Sequence, residues 1–308
     1  MWTVATLTAL LVDRANELTR HIAGAISGDA RHVHQGRVAS RRLRESLPAA
    51  GRGGGRAAGR ARKAFRKVTR ALGPVRELDV ALGHLEDGLE GARIPRIAIE
   101  RVRAHVIAER ERRREKMLAQ LERVDLAEAV GRVERVARGA EAAGVTSFSA
   151  ARLAERIRAR AAALEGAIAE TGTLYHPERL HEVRIGAKKL RYALEVVEST
   201  GLSDVTAAIR SLKRAQVLLG DMHDYQILLE HVADVRDATP KGTPGAAGLK
   251  AMAAAYDREC RRLHAGYLKQ APALAASAKT LGAMTLKVRN TQTGSGARRT
   301  APSRKSNG

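Results

Sequence analysis

The stretches HQGRVASRRLRESL (34–47) and HEVRIGAKKLRYAL (181–194) superimpose without a gap, and this repeat constrains the fold more than any other feature of the chain. His34 aligns with His181, Arg37 with Arg184, Arg41 with Lys188, Arg42 with Lys189, Leu43 with Leu190, Arg44 with Arg191 and Leu47 with Leu194. The offset is 147 residues in a chain of 308. The same offset carries RKVTRALGPVRELDVAL (66–82) onto KRAQVLLGDMHDYQILL (213–229), where Arg66 and Lys67 meet Lys213 and Arg214. Charge is kept there while residue type is exchanged. An unbroken register over this length indicates two homologous halves. Two long copies favour a pair of packed bundles about a pseudo-twofold axis over a solenoid.

The halves read as helix throughout. Ala, Leu, Arg and Glu favour helix and turn clusters are few, so an all-α fold is expected. Apolar periodicity places helices over about 4–27, 30–47, 56–91, 95–123 and 126–141, then 149–170, 177–199, 203–236 and 246–270. The expected organisation is a first half over 1–148, a second over 149–272 and a basic, structureless tail over 273–308. A single cysteine, Cys260, excludes an internal disulfide and any cysteine-cluster zinc site, and suits a reducing compartment. No stretch is apolar enough to span a membrane, and MWTVATLTALLV reads as the start of an amphipathic helix rather than a signal peptide. The expected location is therefore the cytoplasm.

Charge is the other strong signal. The formal net charge is +22, and residues 31–76 hold fourteen Lys/Arg against one acid, Glu45. Residues 181–227 hold seven Lys/Arg against six acids, so the basic field is concentrated in the first half. A polyanion is the natural partner. At 100° per residue His34, Arg37, Arg41 and Arg44 fall in one helical stripe, with Arg42 widening it. His181, Arg184, Lys188 and Arg191 repeat the stripe, with Lys189 beside it. Like charges at this spacing weaken a helix, so the missing negative charge is expected from outside it. Arginine forks bond two phosphate oxygens and lysine supplies a point charge, so a row of both suits a linear chain of phosphates. Segments 60–70 and 210–214 would add a second wall. A solvated cationic face is the competing reading, and exact duplication of the positions argues against it. No metal is expected at the ladder. His32 and His34 diverge on a helix, and no carboxylate stands three or four residues from His34.

The patterns H-x-x-R-V-x-x-R-R-L-R and L-G-x-x-R-E-L-D-V, followed by H-x-x-R-x-x-x-K-K-L-R-Y and L-L-G-D-x-x-D, resemble the CHAD domain (conserved histidine α-helical domain) over about residues 5–270. The resemblance implies two four-helix bundles about a pseudo-twofold axis, with a basic groove or pore between them that binds inorganic polyphosphate. It implies no catalysis and no cofactor. Carried over residue by residue, it assigns phosphate contact to His34, Arg37, Arg41, Arg42, Arg44, His181, Arg184, Lys188, Lys189 and Arg191. Arg66, Lys67, Lys213 and Arg214 become wall residues, and Tyr192 a hydroxyl donor or a packing residue. For the two histidines, ligand contact and a structural role stand level. Asp79 and Asp224 are expected to orient ladder arginines or cap a bend at Gly73 and Gly220. Gly36 stands where the family carries a larger residue and is expected to loosen the helix locally. The family is often fused to a triphosphate-tunnel catalytic domain; this chain has no room for one and reads as a standalone module, with polyphosphate granules as a location.

Two other classes compete. Non-specific nucleic-acid binding suits the charge and the basic tail, but aromatics are 3% of the chain and none interleaves the first ladder. An enzyme acting on phosphate needs a metal-holding acidic cluster or a phosphate-cradling loop. GRGGGRAAGR (51–60) lacks the spacing of such a loop and is expected to be a flexible basic linker.

Overall fold

The computed structural model describes residues 7–48, 55–89, 92–142 and 150–286. These residues form helices and no strand. The first half contains α1 (Leu7–Ser27), α2 (Ala30–Ser46), α3 (Gly55–Asp87), α4 (Arg96–Glu122) and α5 (Leu126–Ala142). The second contains α6 (Ala150–Thr171), α7 (Pro177–Thr200), α8 (Thr206–Asp237) and α9 (Pro244–Gly282).

Capping chemistry sets the boundaries that frame the repeat. Gly28, at φ +92°, turns the chain out of α1. Asp29 then caps α2 by accepting the His32 backbone N–H at 2.8 Å. Pro177 opens α7 at the 147-residue offset from Ala30, and Gly201 closes it in the left-handed region.

Two expectations are corrected. The second half does not end at 272, and residues 273–282 are not tail. α9 runs through Pro272 to Gly282, burying Leu274, Ala278 and Leu281, and packs along α6. Proline removes one backbone donor, and this apolar face more than offsets the lost rung. In the repeat register Pro272 falls on Asp125, where the first half breaks between α4 and α5. So α9 corresponds to α4 and α5 joined in one helix. The linker expected over 51–60 is also shorter, because Gly55 opens α3. Residues 51–54, the 148/149 boundary and the chain beyond 286 lie outside the described residues.

Helices α1, α2, α3 and α5 pack on one another, as do α6, α7, α8 and α9. Leu11, Leu18, Leu43, Phe65 and Leu72 from the first set and Ile157, Leu164, Leu190, Leu194 and Leu212 from the second belong to one continuous apolar core. Across the halves like meets like, with α2 against α7, α3 against α8 and α4 against α9. The far ends of α3 and α8 join α4 and α9 in a further core of Leu78, Leu85, Val102, Val106, Leu228, Val232, Leu249 and Tyr256. Both halves build this core. Among the described residues no helix is long and apolar enough to cross a membrane.

A candidate anion-binding furrow

Where α2 and α7 meet, their polar faces enclose a cavity of about 380 Å³. Val33 and Leu43 on α2, with Val183 and Leu190 on α7, are fully buried and fix the rotation of the two helices. That rotation turns His34, Gln35, Arg37, Val38, Arg41 and Arg42 of α2 toward Lys188, Arg191 and Tyr192 of α7. The first half supplies three of the cations in the wall and the second supplies two.

At one end the basic side chains are only partly compensated. Arg37 is largely buried, and burial, with Arg41 beside it, pushes its guanidinium down to about 10. Lys188 is pushed down to about 6 by burial and by Arg184, Arg41 and Arg37. Arg184 is lowered by burial too, although its Nη2 lies 3.8 Å from Asp224 Oδ1. The Nε atoms of Arg37 and Arg184 are buried without a hydrogen-bond partner. Glu77 eases the field at both arginines, and it shares its repeat position with Asp224. Two carboxylates thus face three guanidinium groups and an amine that releases its proton near pH 6. An orphaned guanidinium N–H is costly to bury, and an oxyanion supplies the missing acceptors.

The other end is neutralised from within the protein. Arg42 pairs with Glu17 at 3.3 Å and lies 3.9 Å from Glu195. Arg191 pairs with Glu195, donates to Gln216 at 2.8 Å and stacks over Tyr192 at 4.6 Å. Tyr192 therefore both packs and lines the wall. Beneath α2, buried Arg14 donates to Ser46 and to the Arg42 carbonyl.

The histidines differ between the copies. His34 lines the cavity and is held neutral at pH 7 by burial and by Arg76, Arg37 and Lys188. His181 does not line the cavity; its ring lies 4.8 Å from that of His223, tilted by 50°. Burial and Arg184 lower both, His223 to about 3. Arg76 and His223 share a repeat position, so each ladder histidine meets the same site on the following helix. Neither Arg76 nor His223 belongs to the ladder motif; their matched spacing to it is the signal in the sequence that marks them.

Several expected contacts lie elsewhere. Arg44 is off the cavity, among Arg41, Arg62 and Arg66, with its Nε unpartnered. Arg66, Lys67, Lys189, Lys213 and Arg214 are exposed and line no part of the furrow. Lys189 follows Lys188 by 100° of helix, which turns it outward, and its carbonyl accepts Arg160 at 2.6 Å. Asp79 does not orient a ladder arginine: it holds Arg110 of α4 at 2.7 Å. Asp224 does face one. No break occurs at Gly73 or Gly220, through which α3 and α8 continue. Gly36 does not loosen α2, since it is buried and a Cβ there would meet Leu72 at 3.4 Å, so it permits close α2–α3 packing.

Comparison with known proteins agrees with this architecture. A family model described as the CHAD domain matches residues 9–233. The crystal structure of the CHAD domain from the plant Ricinus communis superimposes with a TM-score of 0.60 at 19% identity, covering 93% of this chain and 97% of its own. PptA from Streptomyces chartreusis superimposes with a TM-score of 0.55 at 18% identity, covering 87% of this chain and 98% of its own. No curated protein matches.

Proposed function

The chain belongs to the CHAD domain family, and on that premise we propose that its furrow binds inorganic polyphosphate without catalysing its turnover. The observation that carries this reading is the half-buried group of Arg37, Arg41, Arg184 and Lys188. The mutual repulsion of the arginines, which also drives Lys188 to release its proton, is unfavourable in the free protein and becomes favourable when a run of phosphates lies between them and Lys188 is charged again. Arg42, Arg191, His34 and Tyr192 continue the contact along the wall, while His181 and His223 do not line it. Arg66, Lys67, Lys189, Lys213 and Arg214 act as an exposed rim, with half-buried Arg44 beside them, that attracts the chain without gripping it. The pairing of like helices across the halves supports a pseudo-twofold axis passing through the furrow. A cytoplasmic protein associated with polyphosphate granules is the corresponding cellular reading.

Nucleic acid is the weaker ligand for this site. Beside the His34 imidazole, Tyr192 is the one aromatic side chain lining the wall among the described residues, and Arg191 lies over its ring, so bases find little stacking surface. The basic residues beyond 286 are the place for any nucleic-acid contact. Calorimetric titration with orthophosphate and with polyphosphates of increasing length tests the proposal, using the full chain and the variant R37A/R41A/R184A/K188A. Affinity should rise with length and be lost in the variant while helical circular dichroism persists. Length-independent binding, or binding retained by the variant, refutes the assignment. Polyphosphate should also displace RNA at equal charge concentration far more readily than the reverse.

A further inference from the structure

We infer that His105, His231 and Asp234 form a binding site for one divalent transition-metal ion of the zinc class, bridging α4 of the first half to α8 of the second. Each residue offers a ligand atom, and the three atoms lie within 4.8 Å of one another. His105 Nε2 and Asp234 Oδ2 are 3.7 Å apart. Zinc bonded at about 2.0–2.1 Å in a tetrahedral site separates its ligands by about 3.4 Å, so small side-chain rotations close the set. Helix spacing explains the geometry: His231 and Asp234, three residues apart, share one face of α8. His105 meets them from α4, with its ring centroid 5.4 Å from that of His231.

The surroundings favour a metal over a plain hydrogen-bond cluster. His231 Nδ1 is buried without a hydrogen-bond partner. The charged groups nearest to it besides Asp234 are Glu109 and Arg113, and Glu109 is occupied by Arg112 and Arg113. Two imidazoles and a carboxylate leave open positions for water and suit zinc, cobalt or nickel better than magnesium, which prefers oxygen ligands.

The repeat adds an internal control. His84-x-x-Asp87 stands at the 147-residue offset from His231-x-x-Asp234, so the pair of ligands is duplicated. The residue matching His105 is Met252, and the His84 ring instead packs against that of Tyr225 at 4.5 Å, tilted by 42°. Only one copy has its third ligand, so the stoichiometry should be one ion per chain.

Zinc chloride titrated into the full chain in phosphate-free buffer, read by calorimetry and by thermal melting, tests the site. One ion should bind and Tm should rise. His231→Gln should abolish both effects, and Asp234→Asn should weaken binding at least tenfold. Substituting His21 and His32, whose Nδ1 atoms lie 3.2 Å apart, should change neither. Asp234 is 65% exposed, so D234N decides the matter if H231Q fails to fold. Absence of zinc binding, binding unaltered in D234N, or binding lost with the His21/His32 substitutions overturns the inference.

Discussion

Replacing Lys188 by Met should make the free protein more stable and a poorer ligand binder. The unfolded chain holds the Lys188 proton up to about 10.5, whereas the folded protein releases it near 6. Between those values the unfolded state binds the extra proton, so the cost of burying Lys188 shrinks as pH rises. At pH 7 that cost is on the order of 4–5 kcal/mol, and it falls by about 1.4 kcal/mol per pH unit toward pH 10. Below pH 6 both states are protonated and the cost is greatest. Methionine keeps the apolar stem and removes the titration. Urea unfolding of wild type and K188M, in buffers free of phosphate and sulfate from pH 7 to 9.5, should show the variant several kcal/mol more stable at pH 7. The advantage should decline steadily with pH at constant m-value. With saturating polyphosphate the order should reverse, because the bound chain restores the lysine charge. A pH-independent difference, or a variant destabilised at pH 7, refutes the assigned electrostatics.

The same residue predicts that polyphosphate binding at pH 7.5 takes up close to one proton, measured as the dependence of calorimetric enthalpy on buffer ionisation heat; zero uptake contradicts it. Glu195→Gln should cost about 3 kcal/mol by leaving Arg191 without its carboxylate, while Arg42 keeps Glu17. It should also steepen the salt dependence of binding, as the freed Arg191 turns to phosphate. Truncation after residue 271 should destabilise the protein by about 3–6 kcal/mol through loss of buried Leu274 and Leu281. Truncation after 286 should leave the unfolding midpoint unchanged.

Helix positions and the ladder were legible because both depend on local spacing. Asp29 and Pro177 mark their helix starts in the sequence itself, and the cations of α2 and α7 share a stripe on any helix. Local pattern misleads where tertiary packing outweighs propensity. Pro272 reads as a stop, yet Leu274 and Leu281 have α6 to bury against. Lys189 belongs to the motif but not to the furrow, since one residue of helix turns it away. The acids that divide the furrow into a compensated and a partly compensated end, Glu17 and Glu195, come from α1 and from the last turns of α7. Nothing in the ladder announces them. The core shared by α3, α4, α8 and α9 is equally silent, because an apolar stripe does not name its partner.

That shared core bears on how such a chain could arise. A half-length ancestor carrying α1 to α5 would expose the apolar faces of Leu78, Leu85, Val102 and Val106 unless a second copy covered them. Like helix against like helix is the contact pattern of a homodimer. Joining two such subunits in one chain frees the copies from having to remain identical. One side of the old interface can then acquire His105 while the other keeps Met252. A symmetric surface becomes a directional one, with distinguishable ends presented to whatever lies along it.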